Sequence, residues 1–118
     1  MIHLDYRSAK PIYVQIIDGL REQILTGVLL PGEKLPSVRE LAGSIAINPN
    51  TIQRSYRQLE AEGWIVTVPG KGSFVCSTDS GKEKETKKWL TAFDEAAAML
   101  RSLGISEETL DKRLKGGN

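Results

Sequence analysis

The sequence predicts a mainly α-helical fold with one small β-hairpin, and three observations carry that prediction. Apolar residues recur at three- and four-residue steps in four separate stretches, bounded by residues that start or stop helices. The pattern switches to short β-branched and aromatic runs in one place only, between Trp64 and Cys76. The 118 residues are 40% hydrophobic and 26% charged, a balance that packs one ordinary domain, or a small domain with an appendage.

The first helix is expected to open with Pro11 at its first position and to close at Gly27, which suits the left-handed residue after a helix. Tyr13, Ile16, Ile17, Leu20 and Ile24 form its apolar stripe. A turn over Leu30-Pro31-Gly32-Glu33 follows, and then Ser37 and Glu40 stand at capping-box spacing and start a second helix. That helix buries Val38, Leu41, Ala42 and Ile45 and is short, because Ile47-Asn48-Pro49 cannot continue it. Asn48 and Pro49 are themselves a cap and a first-position proline, so a third helix abuts the second across a tight turn. Ile52, Tyr56 and Leu59 face inward from it, and Gly63 stops it.

Trp64 to Val68 and Ser73 to Cys76 flank Pro69-Gly70-Lys71-Gly72 and read as a two-stranded hairpin. Residues 77–82 are small, polar and turn-prone, the signature of a linker. Beyond them Trp89, Phe93, Ala96, Leu100 and Leu103 form a stripe at steps of four, three, four and three. Gly104 ends that helix, and Ser106 caps a last short one with acids at its start and bases at its end. The expected organisation is a winged helix-turn-helix domain over 1–76, a linker over 77–82 and two C-terminal dimerisation helices over 83–118.

Composition excludes several function classes. The single cysteine, Cys76, forbids an internal disulfide, and the single histidine, His3, forbids a zinc site built from Cys and His ligands. No metal or cofactor site is expected. No apolar run is long enough to span a membrane and none at the start resembles a secretory signal, so a cytoplasmic protein without membrane partners is expected. The formal net charge of +1 gives no global reason to propose nucleic acid as a partner. Any basic surface must be local.

That local surface is the outward face of the third helix. At 100° per residue from Ile52, Asn50, Arg54 and Arg57 fall within about 40° of the opposite side, with Thr51, Gln53 and Gln58 on the flanks. The face is polar and almost free of acid, and its chemistry suits base edges: Asn and Gln pair with adenine, Arg with guanine, and a Thr methyl touches thymine. Asn50, Thr51, Gln53 and Arg54, in the half that enters a groove deepest, are the candidates for base contacts; Arg57 is the candidate for phosphate. Arg39 and Lys71 flank the groove as further cations. Ser37 and Asn48 are helix caps first, although a capping serine can also donate to phosphate.

These residues also carry a family resemblance. The string from Leu30 to Ala42, then Asn48-Pro49-Asn50-Thr51-Ile52, Leu59-Glu60-Ala61-Glu62-Gly63 and Gly70-Lys71-Gly72-Ser73-Phe74-Val75, resembles the DNA-binding domain of GntR-type bacterial transcription regulators. Lys10-Pro11-Ile12-Tyr13 resembles in particular the short YtrA-like branch, whose C-terminal two-helix segment serves dimerisation. The resemblance implies that Arg39 contacts DNA, that Asn48, Asn50 and Thr51 sit at the groove end of the recognition helix, and that Gly70 and Lys71 form the wing tip. Many members carry arginines where this chain has Pro49 and Gln53, so their guanine contacts do not transfer.

The expected function is therefore a sequence-specific transcription regulator, a repressor, that binds an inverted-repeat double-stranded operator as a homodimer. The alternative is a winged-helix module for protein contact, which would have no reason to keep acids off the third helix. An enzyme is disfavoured: the only histidine lies near a terminus expected to precede the fold, and Gly70-Lys71-Gly72-Ser73 lacks the glycine and hydroxyl spacing of a phosphate loop. An unidentified small-molecule effector would have to bind in the cleft between the dimerising helices or at the dimer interface.

Overall fold

The computed structural model describes residues 2–116, apart from the side chain of Ser80. Five helices and one hairpin follow in the order α1 (Ile12–Leu25), α2 (Val38–Ile45), α3 (Pro49–Ala61), β1 (Ile65–Val68), β2 (Gly72–Val75), α4 (Thr78–Ser102) and α5 (Glu107–Leu114). The chain divides into two compact units, one running to Lys84 and the other starting at Glu85.

In the first unit, α1 and α2 pack on α3 around one core. Ile16, Ile17, Leu20 and Ile24 of α1, Leu41 and Ala42 of α2, and Ile52, Tyr56 and Leu59 of α3 meet Leu35, Trp64, Ile65 and Val75 there. The helix boundaries follow the expected chemistry. Ser37 and Glu40 form a complete capping box, each side chain accepting from the other's backbone N–H at 3.1 Å. Asn48 caps α3 by accepting from the Asn50 N–H at 2.8 Å, with Pro49 at the first position. Pro11 stands one position earlier than expected, as the cap residue, because its carbonyl already accepts from Val14 and Gln15. The turn between α2 and α3 is made by Ala46, the one residue other than glycine with a left-handed backbone among those described (φ 55°).

Three local features depart from the sequence reading. First, the N-terminal residues do not merely precede the fold. The Gln15 amide clamps them, its oxygen accepting from the Asp5 N–H at 2.7 Å and its nitrogen donating to the Asp5 and Lys10 carbonyls at 2.9 Å. Ile2 and Leu4 then pack against the core.

Second, the segment before α2 is more than a turn. It runs along β2, with Gly32 N–H donating to Val75 O, Val75 N–H to Glu33 O, and Leu35 N–H to Ser73 O at 2.8–2.9 Å. The antiparallel hairpin, in register Ile65↔Val75 and Val68↔Gly72, is thereby tied to the start of the helix-turn-helix.

Third, the expected linker over 77–82 is helical from Thr78 onward. Its glycine is a packing requirement: a Cβ on Gly81 would overlap the Trp64 indole. Lys84 Nζ then donates to the Ala61 carbonyl, in the last turn of α3, at 3.2 Å. Gly81, which reads as part of a flexible tether, is required by this close approach of helix and ring.

The second unit is a helical hairpin, the remainder of α4 and α5 joined at Gly104. Ser106 caps α5 by accepting from the Thr109 N–H, and Glu107 pairs with Arg101 across the turn. Among the described residues no helix is long and apolar enough to cross a membrane, and no group of His, Cys, Asp or Glu could hold a metal ion.

Candidate nucleic-acid interface

The three acids near the third helix are all engaged in holding the scaffold. Glu40 closes the capping box of α2; the hydrogen bonds from the Ser37 backbone and hydroxyl, with Lys34 nearby, hold its carboxyl below the usual range. Glu60 accepts from the Thr67 N–H at 2.8 Å and so fastens β1 to α3. Glu62 pairs with Arg21 of α1. The cations differ: among the described residues no carboxylate pairs with Arg39, Arg54, Arg57 or Lys71. A near-neutral chain therefore exposes a local face of unpaired positive charge.

The expected contact residues surround that face. Asn50, Arg54 and Arg57 are exposed on α3, and Thr51 and Gln53 are half-buried on its flanks. Asn48 is exposed, with its side-chain oxygen spent on the cap and its amide nitrogen left as donor. Ser37 and Arg39 are exposed at the start of α2. At the hairpin tip, Gly70 takes φ 77°, and the Lys71 N–H donates back to Val68 O at 3.0 Å, a tight turn that lifts Lys71 into solvent.

Between α2, α3 and the wing lies an open depression of about 220 Å³, bordered by Ser37, Gln53, Arg57, Thr67 and Ser73. Tyr56 forms part of its floor. Its hydroxyl donates to the Pro36 carbonyl at 2.8 Å, and burial, with Glu40 nearby, pushes the phenol up to about 12. Tyr56 thus joins α3 to the loop that starts α2.

Three contributors escape the periodicity. Glu60 looks like a solvated acid until its bond to β1 is seen. Ser55 is wholly buried, its one hydroxyl proton shared between the Tyr13 carbonyl at 3.0 Å and the Thr51 carbonyl at 3.1 Å. A hydroxyl on an otherwise apolar face of α3 was its signal. Tyr13, expected in the apolar stripe of α1, is half-buried, and the Arg54 guanidinium lies 3.6 Å from the centre of its ring.

In the second unit the expected dimerisation stripe is largely open. Trp89, Phe93, Ala96, Leu100 and Leu103 are all exposed, the four large side chains among them from 39% at Leu100 to 70% at Leu103. Ala97, one position off the stripe, is the residue of α4 in this unit that is buried. Phe93, Ala96 and Leu100 line a groove of about 270 Å³ with Leu110, Arg113 and Leu114 of α5.

Residues 12–75, the segment that builds the helix-turn-helix and the wing, match the family described as "Bacterial regulatory proteins, gntR family". The chain belongs to the GntR family. It is similar to the transcriptional repressor YtrA of Bacillus subtilis, with 52% identity over 75 residues that span 64% of this chain and 58% of that one. The match thus covers little more than half of YtrA. It is also similar to YhcF of Bacillus subtilis, described as an uncharacterized transcriptional regulator, with 39% identity over 93% of this chain and 92% of that one.

Among solved structures, a transcriptional antiterminator from Listeria monocytogenes superposes with a TM-score of 0.72 and 37% identity, covering 98% of this chain and 88% of that one. The DNA-binding domain of AraR bound to its operator ORR3 superposes with a TM-score of 0.56 and 28% identity, over 63% of this chain and 89% of that one. This GntR member is therefore a winged-helix regulator with its two C-terminal helices included in the likeness.

Proposed function

We propose that this GntR-family regulator is a repressor that binds an inverted-repeat DNA operator as a homodimer, with α3 in the major groove and the wing at Lys71 on the flanking backbone or minor groove. The observation that carries this reading is the division of charge around α3. Every nearby acid is tied into the scaffold, while Arg39, Arg57 and Lys71 stay unpaired beside Asn50, Thr51 and Gln53. Unpaired cations supply phosphate affinity, and amides on the exposed helix supply base discrimination. The similarity to YtrA, named a repressor, and to AraR in its operator complex supports the same reading.

The dimer rests on the second unit. About 34 residues cannot build a sufficient core alone, and the open Trp89, Phe93, Leu100 and Leu103 stripe is the kind of surface that a second copy covers. A two-fold pair of α3 helices reads half-sites spaced by about one helical turn, or a multiple of it.

Mobility shifts at fixed salt, with a duplex selected from a random library and a scrambled one, test the contact assignments. Arg39→Ala and Lys71→Ala should weaken binding to both duplexes, whereas Asn50→Ala and Gln53→Ala should cost roughly 1–3 kcal/mol on the selected duplex only. Equal losses on both duplexes for the amide variants would refute base readout. A stable monomer in sedimentation at micromolar concentration would refute the dimer.

A further inference from the structure

The two arginines of the α3 polar face have different settings. Arg57 borders the depression beside α2 and the wing, together with Gln53. Arg54 turns the other way, its guanidinium carbon 3.6 Å from the centre of the Tyr13 ring in the first turn of α1. At that distance the planar group lies against the ring face, a stack that leaves its edge donors open. No carboxylate among the described residues takes them.

Tyr13 is itself held to α3. Its carbonyl accepts from the hydroxyl of Ser55, the residue next to Arg54, and Ser55 is wholly buried. The two helices that carry the ring and the arginine are thus joined, beside both residues, by a bond that solvent does not reach. A free arginine on a helix surface samples many rotamers and loses that freedom when it binds, whereas one already laid on a ring loses less. Neither Arg39, Arg57 nor Lys71 has such a platform among the described residues.

Building on the DNA-binding reading above, we propose that Tyr13 is a positioning residue that holds Arg54 for a backbone phosphate on the α1 side of the groove, which removes Arg54 from base readout. A guanidinium drawn toward α1 presents its edge beside the recognition helix rather than along it. That edge matches two phosphate oxygens.

The full chain, a duplex selected by the wild type from a random library, and a scrambled duplex of the same composition provide the test. Tyr13→Leu should weaken binding to both duplexes roughly two- to fivefold, the worth of an exposed stack, and Tyr13→Phe, which keeps the ring, should restore it. In an Arg54→Ala background, Tyr13→Leu should cost nothing more. Arg54→Ala should flatten the dependence of log K on log salt by about one phosphate contact. The Arg54 Hε resonance should sit upfield in the wild type, shifted by the ring current, and lose that shift in Tyr13→Leu.

Arg54→Lys asks the same question without touching Tyr13: it keeps the charge, loses the planar stack, and should bind as weakly as Tyr13→Leu. Full affinity in Arg54→Lys, or in folded Tyr13→Leu, would overturn the proposal. So would an Arg54→Ala loss confined to the selected duplex with an unchanged salt slope. A wild-type chain that enriches no duplex would instead sink the DNA-binding reading itself, an outcome distinct from these.

Discussion

Replacing Gly81 with alanine pits two effects of opposite sign against each other. In the interior of a helix, alanine is favoured over glycine by about 0.8–1.0 kcal/mol, so a solvated tether or an undocked helix would be stabilised. Here the new methyl would fall on the Trp64 indole, which is 1% exposed and hemmed in by the core, and overpacking of that kind costs about 1–3 kcal/mol. Because the overlap involves the fused-ring carbons rather than a flexible chain end, the upper part of that range applies. The net expectation is a loss of about 1–2 kcal/mol, a fall in Tm of roughly 4–10 °C for a domain this size.

Gly43 supplies the control. It lies in α2, is exposed and has nothing near the position a Cβ would take, so Gly43→Ala should raise stability by up to about 1 kcal/mol. Urea and thermal unfolding of both variants measure the two signs. Relief by release of the first turn of α4 would show as a red-shifted Trp64 emission in a Trp89→Phe chain. A Gly81→Ala chain more stable than the wild type, matching Gly43→Ala, would refute the docking of α4 on Trp64.

Three further outcomes follow from single bonds. Ser37→Ala removes the capping box and should cost about 1 kcal/mol in urea unfolding, while weakening DNA binding by misplacing the start of α2. Tyr56 has a folded-state pKa raised from the ordinary phenol value of 10.0 to about 12, so its contribution is intact below pH 10 and is lost as pH rises toward 12. Alkaline unfolding followed by circular dichroism should therefore steepen above pH 10 in the wild type and less in Tyr56→Phe, and identical profiles would contradict the buried bond to Pro36. Ala46→Gly, at an exposed left-handed position, should stabilise the turn between α2 and α3 by up to about 1 kcal/mol in thermal unfolding.

Much of the fold was legible because local chemistry decides it. Ser37 with Glu40, Asn48 with Pro49, and Gly27, Gly63 and Gly104 mark helix ends through bonds and backbone angles that involve only neighbours in the chain. Spacing of apolar residues likewise places the buried face of α3, and with it the polar face that carries Asn50, Arg54 and Arg57. The polar face of α3 could be found because it is defined by what the opposite face must bury.

The remaining features depend on residues far apart in sequence. Gly81 reads as part of a tether because its smallness has two causes, freedom and close approach, and only the position of Trp64 separates them. Glu40, Glu60 and Glu62 leave the neighbouring cations unpaired because packing gives them other partners, at Ser37, Thr67 and Arg21. Tyr13 counted as core until Arg54 was seen to lie on it. The sequence by itself determined the helices, the hairpin and the faces they bury, since helix caps and periodicity act within a few residues. Tertiary structure alone decided which charges stay unpaired and which side chains lie against the polar face of α3, because pairing depends on distances that only packing brings within reach.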